Sequence, residues 1–304
     1  MVRNLRLQQL YEMAKDLLAD QAKLETCDFE TLKTKVRSFV SDTTYAVQDR
    51  APFQLAYRAQ RNAPRTGFHK VQRLLYHPDG NPHYGRANAP GKKILYASWN
   101  PDTALEEVHA RPGEVIQLVT LRSRVGAKVP AFVIGDYQKF YMSGRMTYVN
   151  SGMPDLLQQK LDANRSEFLC SVFIDSTMSK FFRAEVRDDL KYDYKITAAF
   201  SEVWHGRDAV LMFPSVHTVV AMNLAIPASV FENSYEVLET SVIEINGYYG
   251  HGIYDEPTVL ARSPNFHKDG TIDWQATKQR QYKRHENGGL EESPETIPGW
   301  RANP

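Results

Sequence analysis

This 304-residue chain has few cysteines, a net charge close to zero and no long apolar runs. Its two cysteines, Cys27 and Cys170, are too few and too isolated for a disulfide framework or a zinc site, which favours a reducing compartment. Lysine and arginine total 37 and aspartate and glutamate 36, so the formal charge is only +1. This balance argues against a protein that binds nucleic acid by neutralising phosphates, and we expect no direct nucleic-acid partner.

Membrane and secretion signals are also missing. No apolar run is long enough to cross a bilayer, and the segment MVRNLRLQQLYEMAKDLL lacks the continuous apolar stretch of a secretory signal. A cytoplasmic protein without a membrane partner is therefore expected.

The common catalytic and phosphate-binding motifs do not occur. The chain has no G-x-x-x-x-G-K-[ST], G-x-G-x-x-G, H-E-x-x-H or G-x-S-x-G sequence, and its histidines do not fall into metal-ligand spacing. We expect no metal cofactor.

Three regions follow from the pattern of apolar residues. Residues 1–48 show two helical stripes, the second preceded by Asp28 as a cap, which predicts a helical hairpin. It packs on the main domain, which we favour, or forms the surface of a homodimer. Residues 50–230 alternate short strand-like runs with helical segments and predict an α+β domain. Residues 231–304 form a C-terminal extension, with a hairpin around Asp269-Gly270 and a loosely ordered tail.

Two arginines lie where an anionic ligand could reach them. Arg58 follows Tyr57 at the end of a predicted strand, and Arg86 sits in the turn YGRANAPG. A guanidinium offers planar donors suited to a pyrophosphate or a carboxylate, and Gly85 and Gly91 permit a close backbone approach. Taken singly, each arginine is better explained as an ordinary surface residue.

A short helix after Tyr96 is the best specified element. Asn100 is a good N-cap, Pro101 suits the first helical position, and Arg111-Pro112-Gly113 is expected to end the helix. On a helical wheel Glu107 borders the apolar face, whereas Glu106 points out to water. Glu107 is therefore the carboxylate expected at a partly buried margin, where its environment can matter chemically.

Ser215 follows a buried-looking strand in the segment LMFPSV. It has no activating partner visible in the sequence, so a hydrogen-bonding role is favoured over covalent catalysis. A plain turn serine at the end of the strand is the alternative.

An ordered set of short motifs resembles the RES-domain family. The motifs are YR at 57–58, GRAN at 85–88, LYAS at 95–98, TALEEV at 103–108, SEFLCSVF at 166–173, YKIT at 194–197, and FPSV followed by NLA within 213–225. The resemblance covers residues 50–230. It implies a compact α+β fold similar to that of ADP-ribosyltransferase toxins, and enzymes that consume NAD+ as a substrate.

The resemblance also implies a role for each matched residue. Glu107 would stabilise the ribosyl cation, Tyr96 would pack against the nicotinamide end, and Ser215 would hydrogen-bond near the ribose or nicotinamide. The residues implied to bind the cofactor are Arg58 and Arg86 at the pyrophosphate, with Tyr57, Asn88 and Ser98 in the same motifs. Phe213 departs from the family pattern, in which many relatives have tyrosine before Pro-Ser.

Three functions stay open at this point. We favour an NAD+-degrading enzyme that uses inorganic phosphate or water as acceptor, and in bacteria many members of the family are toxins held inactive by a separate antitoxin. The second is a protein mono-ADP-ribosyltransferase, with residues 137–190 as a target-recognition element. The third is a catalytically silent module that binds a nucleotide or a partner.

Overall fold

The structure is a computed structural model of the chain. It describes residues 5–21, 23–41, 55–127, 129–146, 153–186, 191–205, 208–218 and 221–274. The predicted tail beyond Trp274 lies outside the described residues. The chain divides into two compact units, of which the first comprises Met1–Pro52, Tyr76–Ala97 and Gly126–Phe231, and the second comprises Phe53–Leu75, Ser98–Val125 and Glu232–Pro304.

Helices and strands alternate irregularly along the described residues. The helices are α1 (Leu5–Gln21), α2 (Phe29–Val40), α3 (Pro101–Glu107), α4 (Asp136–Ser143), α5 (Met153–Ala163), α6 (Arg165–Phe182), α7 (Lys195–His205) and α8 (Ala228–Ser234). The strands are β1 (Leu55–Gln60), β2 (Ile94–Ser98), β3 (Val115–Ser123), β4 (Ala131–Val133), β5 (Val210–Pro214), β6 (Met222–Pro227), β7 (Tyr235–Glu244) and β8 (Thr258–Ser263). Parallel and antiparallel strand pairs both occur, so the predicted α+β class is confirmed.

The two N-terminal helices are present where their apolar stripes predict them. Asp28 caps α2 by accepting a hydrogen bond of 2.8 Å from the Thr31 amide. Both helices bury their stripes in the first unit, with α1 against α6 and α2 against α7. The Nζ of Lys195 on α7 donates to the backbone carbonyls of Leu24 and Cys27 in the α1–α2 connection. The hairpin therefore packs on the body of its unit, as favoured from the sequence.

The strands of the first unit are mostly apolar and lie in its core, although β6 also buries the polar residue Asn223. Their order is β4-β5-β6-β2, with β4 parallel to β5 and β5 antiparallel to β6. Every residue of β5 and β6 is buried. Helix α8 begins at Ala228, directly after β6. The sequence pattern predicts that NLAIPASVF forms one strand. The second half of this segment is helical instead, because Pro227 cannot donate the ladder hydrogen bond that would continue the strand.

The second unit is antiparallel. Its strand order is β1-β3-β7-β8, and β3 pairs along its whole length with β7. The hairpin predicted around Asp269-Gly270 is confirmed by the antiparallel bridge between Phe266 and Ile272. Ile272 is buried, and the Trp274 indole donates a hydrogen bond of 3.0 Å to the Phe68 carbonyl. The C-terminal hairpin is therefore an integral part of this unit.

Two further observations concern the described part of the chain. Within it, no helix combines the length and apolar character that crossing a bilayer requires. No group of three or more His, Cys, Asp or Glu side chains is placed there to hold a metal ion.

Candidate functional site

Residues 84–91 of the first unit form the turn that carries Arg86, and we call this turn the Arg86 loop. Tyr96 on β2 holds the loop through its hydroxyl, which accepts a hydrogen bond of 2.8 Å from the Ala87 amide. The same hydroxyl donates a hydrogen bond of 2.7 Å to the side-chain oxygen of Asn88. Gly85 lies so close that a Cβ atom would come within 2.4 Å of the Asn88 side chain. The close approach at Gly85 is therefore to side chains of the protein, and an approach of its backbone to a ligand stays a prediction.

The side-chain amide of Asn88 is buried and organises this loop. Its oxygen also accepts a hydrogen bond of 3.1 Å from the Asn81 side chain, and its nitrogen donates to the carbonyls of His83 and Ala89, both at 3.0 Å. With the bond from Tyr96, both acceptor sites and both donor hydrogens of the amide are used within the protein. Its contact with a cofactor stays a prediction.

Arg86 is held against the C-terminal end of α6. Its Nη1 donates hydrogen bonds of 2.6 Å to the Phe182 carbonyl and 3.0 Å to the Ala184 carbonyl. The guanidinium also lies 5.2 Å from the centre of the Tyr194 ring. A cation at a helix C-terminus is stabilised by the helix dipole, so Arg86 is fixed in position by three surrounding groups.

Ser215 closes a turn directly after β5. It is buried, its amide donates to the Ala221 carbonyl at 2.9 Å, and its hydroxyl accepts a hydrogen bond of 3.1 Å from the His217 amide. This is the geometry of the turn serine that the sequence offered as an alternative. A contact of the hydroxyl with a substrate stays a prediction.

In the second unit, the register of β1 decides which face Tyr57 and Arg58 take. Tyr57 pairs with Ser98, the last residue of β2, and packs against the apolar cluster that contains Ala104 and Leu105 of α3. Because side chains alternate along a strand, Ser98 shares the face of Tyr57, and Arg58 points to the opposite face. The structure therefore brings Tyr57 and Ser98 to the α3 side of the strand and does not bring Arg58 there.

Helix α3 begins as the sequence predicts. The Asn100 side chain accepts a hydrogen bond of 2.7 Å from the Thr103 amide, and Pro101 is the first helical residue. Both features satisfy or remove amide groups that have no partner within the first turn.

The helix ends earlier than expected, at Glu107 rather than at Arg111-Pro112-Gly113. His109 adopts the left-handed conformation with φ of 50°. Its amide donates to the Glu106 carbonyl at 2.9 Å, and the Ala110 amide donates to the Leu105 carbonyl at 3.0 Å. These two bonds form a Schellman motif, which ends a helix wherever the backbone can enter the left-handed region.

The prediction that Glu106 points out to water is wrong. Glu106 is only 7% exposed. Its two carboxylate oxygens accept one hydrogen bond each, of 2.8 Å from the Tyr248 hydroxyl and 2.9 Å from the Tyr254 hydroxyl. We call Glu106, Tyr248 and Tyr254 the Glu106 cluster. The helical wheel missed it because the burial comes from residues more than a hundred positions away in the chain.

The Glu106 carboxylate affects both tyrosines. Its hydrogen bond holds the pKa of the Tyr248 hydroxyl above the usual range. Burial, followed by the hydrogen bond to Glu106, raises the pKa of the Tyr254 hydroxyl. Both hydroxyls therefore stay protonated donors at neutral pH. Glu107, the next residue, is partly buried, as the helix-face argument predicts.

A sequence model of the RES domain matches residues 55–237, which is more than half of the chain. The chain belongs to the RES-domain family. The matched region starts at β1 and ends within β7, so it contains every candidate residue predicted from the sequence. Helices α1 and α2 lie outside the RES domain, and so do Tyr248 and Tyr254. Searches of curated proteins and of solved structures each returned no match.

Sequence reasoning missed Glu106, Tyr248 and Tyr254 as candidate residues. One signal was available in the segment GYYGHGIY, where Gly250, His251 and Gly252 all take positive φ values and turn the chain between the two tyrosines. The pattern of aromatic residues flanking glycines predicts a turn. It carries no information about which carboxylate the turn would meet.

Proposed function

We propose that this RES-domain protein cleaves the bond between nicotinamide and ribose in NAD+, by phosphorolysis or hydrolysis. The observation that carries the proposal is the placement of Glu107. It is a partly buried carboxylate at the last position of α3, beside a buried Glu106 whose two oxygens are already committed to tyrosines. Because both oxygens of Glu106 already accept hydrogen bonds from tyrosines, we assign the role of acting on a ligand to Glu107.

The chemistry of this cleavage fits a fixed carboxylate. As the C–N bond breaks, its electron pair leaves with nicotinamide, which departs neutral, and positive charge develops on the ribose ring. A carboxylate held near that charge stabilises the transition state more than the ground state. The acceptor oxygen of phosphate or water then bonds to the ribose carbon and releases its proton. Neither a metal nor a covalent intermediate is required.

The remaining roles are assigned by family relationship. Arg58 and Arg86 would bind the pyrophosphate, Tyr96 would pack at the nicotinamide end, and Ser215 would hydrogen-bond near the ribose. Arg86 suits its role because the carbonyls of Phe182 and Ala184 orient its guanidinium before any ligand arrives. A cation that needs no reorganisation binds an anion at lower entropic cost.

One incubation tests this proposal. The purified protein is mixed with NAD+ in the presence and absence of inorganic phosphate, and the products are separated by mass. ADP-ribose indicates hydrolysis, and phosphorylated ADP-ribose indicates phosphorolysis. Mass added to a protein would replace the proposal with mono-ADP-ribosyl transfer, and NAD+ unchanged under every condition would leave only the silent binding module. The variant Glu107→Gln, which keeps the size of the side chain, is expected to be inactive.

We further propose that loss of NAD+ makes the protein a bacterial toxin, with a separate antitoxin or immunity protein as its partner. Induced expression in bacterial cells should lower cellular NAD+ and stop growth, and Glu107→Gln at the same expression level should do neither. Growth arrest by both forms would show that toxicity does not come from the enzyme.

A further inference from the structure

The Glu106 cluster joins α3, the helix that carries Glu107, to a segment outside the RES domain. Tyr248 and Tyr254 lie between β7 and β8, in residues 246–258, which end at the first residue of β8 and which we call the 246–258 loop. An antiparallel bridge pairs the two tyrosines, and their ring centres are 4.9 Å apart. The loop is closed further by the Asn246 side chain, which donates 2.7 Å to the Glu256 carbonyl. Two phenols are therefore presented side by side to one carboxylate.

Burying a carboxylate costs more free energy than burying an apolar side chain that packs on the same neighbours. Removing its charge from water costs several kcal/mol, on the order of the whole stability margin of a domain, unless hydrogen bonds compensate. An apolar residue at position 106 would pack on Tyr254 without that cost. The carboxylate instead fixes the orientation of the side chain. Each of its oxygens accepts a hydrogen bond from a different hydroxyl, so the side chain is held at two points.

A fixed orientation of Glu106 is important because α3 is very short. A helix of seven residues has little stability of its own, so tertiary contacts must fix its rotation about its axis. Glu107 follows Glu106 directly, about 100° further around the helix. A rotation that the Glu106 cluster prevents would therefore move the Glu107 carboxylate with it.

We infer that Glu106 is a positioning residue for Glu107, and that Tyr248 and Tyr254 of the 246–258 loop are the two donors that hold it. The catalytic part of this inference rests on the proposed NAD+ cleavage. Arg111 completes the arrangement, since its guanidinium lies 5.0 Å from the centre of the Tyr248 ring and limits the movement of that ring.

The test compares Tyr248→Phe, Tyr254→Phe and the double variant with the full-length protein. Each substitution keeps the ring and removes the hydroxyl donor. Tyr249→Phe is the matched control, because Tyr249 lies in the same loop, is exposed, and donates a hydrogen bond of 3.0 Å to Asp255 instead of Glu106. We expect the double variant to lose about 10- to 100-fold in kcat with the KM for NAD+ within about threefold of the original, because displacement of a reacting group lowers kcat first. Tyr249→Phe should keep its kcat.

A second comparison separates positioning from general damage to the fold. The double variant is also made in the Glu107→Gln background, and any residual turnover is measured. If the tyrosines act through Glu107, they lower the residual rate no further, which is a non-additive result. Full kcat in the Tyr248/Tyr254 double variant, or an additive further loss in the Glu107→Gln background, would overturn the inference.

Hydrogen–deuterium exchange keeps this test independent of the proposed function. The amides of residues 103–108 should exchange faster in the double variant than in Tyr249→Phe. If the unmodified protein leaves NAD+ untouched, the proposed function fails, and faster exchange in α3 still supports the anchoring of the helix. Unchanged exchange in α3 would show that the Glu106 cluster does not hold it.

Discussion

The Tyr96 hydroxyl donates a hydrogen bond of 2.7 Å to the side-chain oxygen of Asn88 and so fastens the Arg86 loop to strand β2. Tyr96 is one of the residues that the family relationship assigns to the nicotinamide end. In the structure its hydroxyl is engaged by the protein, through Asn88 and the Ala87 amide. A contact of Tyr96 with a ligand stays a prediction, and its hydroxyl already serves to hold the Arg86 loop.

This relationship predicts the effect of Tyr96→Phe. The substitution keeps the ring but leaves the Ala87 amide and the Asn88 side chain each without one partner, which should lower the free energy of unfolding by about 1–3 kcal/mol. The KM for NAD+ should rise, because the loop that carries Arg86 loses its anchor. Urea denaturation and steady-state kinetics measure the two effects. Tyr84→Phe, in the same loop, leaves both Tyr96 bonds intact and is the control; equal losses in the two variants would contradict the prediction.

Arg86→Lys should affect both stability and binding. A lysine ammonium has neither the planar guanidinium that lies over Tyr194 nor its spread of donors, so we expect a loss of about 1–2 kcal/mol in the free energy of unfolding. The KM for NAD+ should rise more than kcat falls. Arg183→Lys, at an exposed arginine just after α6, provides the comparison. An unchanged urea midpoint for Arg86→Lys would show that the contacts with Phe182 and Ala184 do not stabilise the fold.

Substitutions of the two glutamates of α3 should change the free energy of unfolding by different amounts. Glu106→Ala removes the acceptor of two tyrosine hydroxyls and should lower the free energy of unfolding by about 1–3 kcal/mol. Glu107→Ala should lower it less, because Glu107 lies at the margin of the helix, and should affect turnover most. Thermal and urea unfolding of both variants check this order. A larger stability loss for Glu107→Ala would reverse our interpretation of the helix faces.

Asp175 in α6 should make stability depend on pH. Its carboxylate accepts hydrogen bonds from the Gly135 and Gln138 amides at 2.8 and 3.0 Å. Burial nevertheless raises its pKa from 3.8 to about 7, and the neighbouring Asp136 adds to the rise. The folded protein thus binds a proton that the unfolded chain releases. The stabilisation from Asp175 is complete below about pH 4 and is lost as the pH rises through about 7.

The variant Asp175→Asn tests the sign. Its urea midpoint, measured between pH 4 and 8, should improve relative to the unmodified protein as the pH rises. Asp155→Asn, exposed on α5, should give a curve parallel to that of the unmodified protein. A difference between Asp175→Asn and the unmodified protein that stays constant with pH would show that Asp175 does not titrate in this range.

The N-terminal helices should be required for folding, since they supply buried side chains to the core of the first unit. Leu17 and Leu18 are adjacent on α1, yet Leu17 is 1% and Leu18 38% exposed. Leu17→Ala should cost about 2–5 kcal/mol, and Leu18→Ala less than about 1 kcal/mol. Urea denaturation of the pair measures the difference. Equal costs would mean that α1 is attached only loosely.

Local features of the fold could be predicted from short stretches of sequence. The apolar stripes of α1 and α2, the cap at Asn100 and the turn at Asp269-Gly270 each depend on residues within a few positions of one another. The end of α3 could not be predicted in this way. It depends on a left-handed histidine, and glycine is the usual signal for that conformation.

Some properties of the predicted site residues could likewise be predicted from the sequence, and others required the tertiary structure. Alternation along β1 already separates Tyr57 from Arg58, but only the packing of α3 decides that the Tyr57 side faces the helix. The family resemblance rests on motifs that are contiguous in the chain, and the RES match confirms it. The hydrogen bonds of Asn88, Arg86 and Ser215 become visible only once distant backbone groups are in place.

The sequence by itself determined the α+β class, the RES family and the position of a helix with two glutamates, because periodicity, capping and contiguous motifs are local properties. Only the tertiary structure decided which glutamate is buried. A helical wheel compares the residues of one helix, whereas burial sums contributions from the whole fold. Tyr248 and Tyr254 enclose Glu106 from a separate segment, and Glu107 is thereby left as the partly exposed carboxylate.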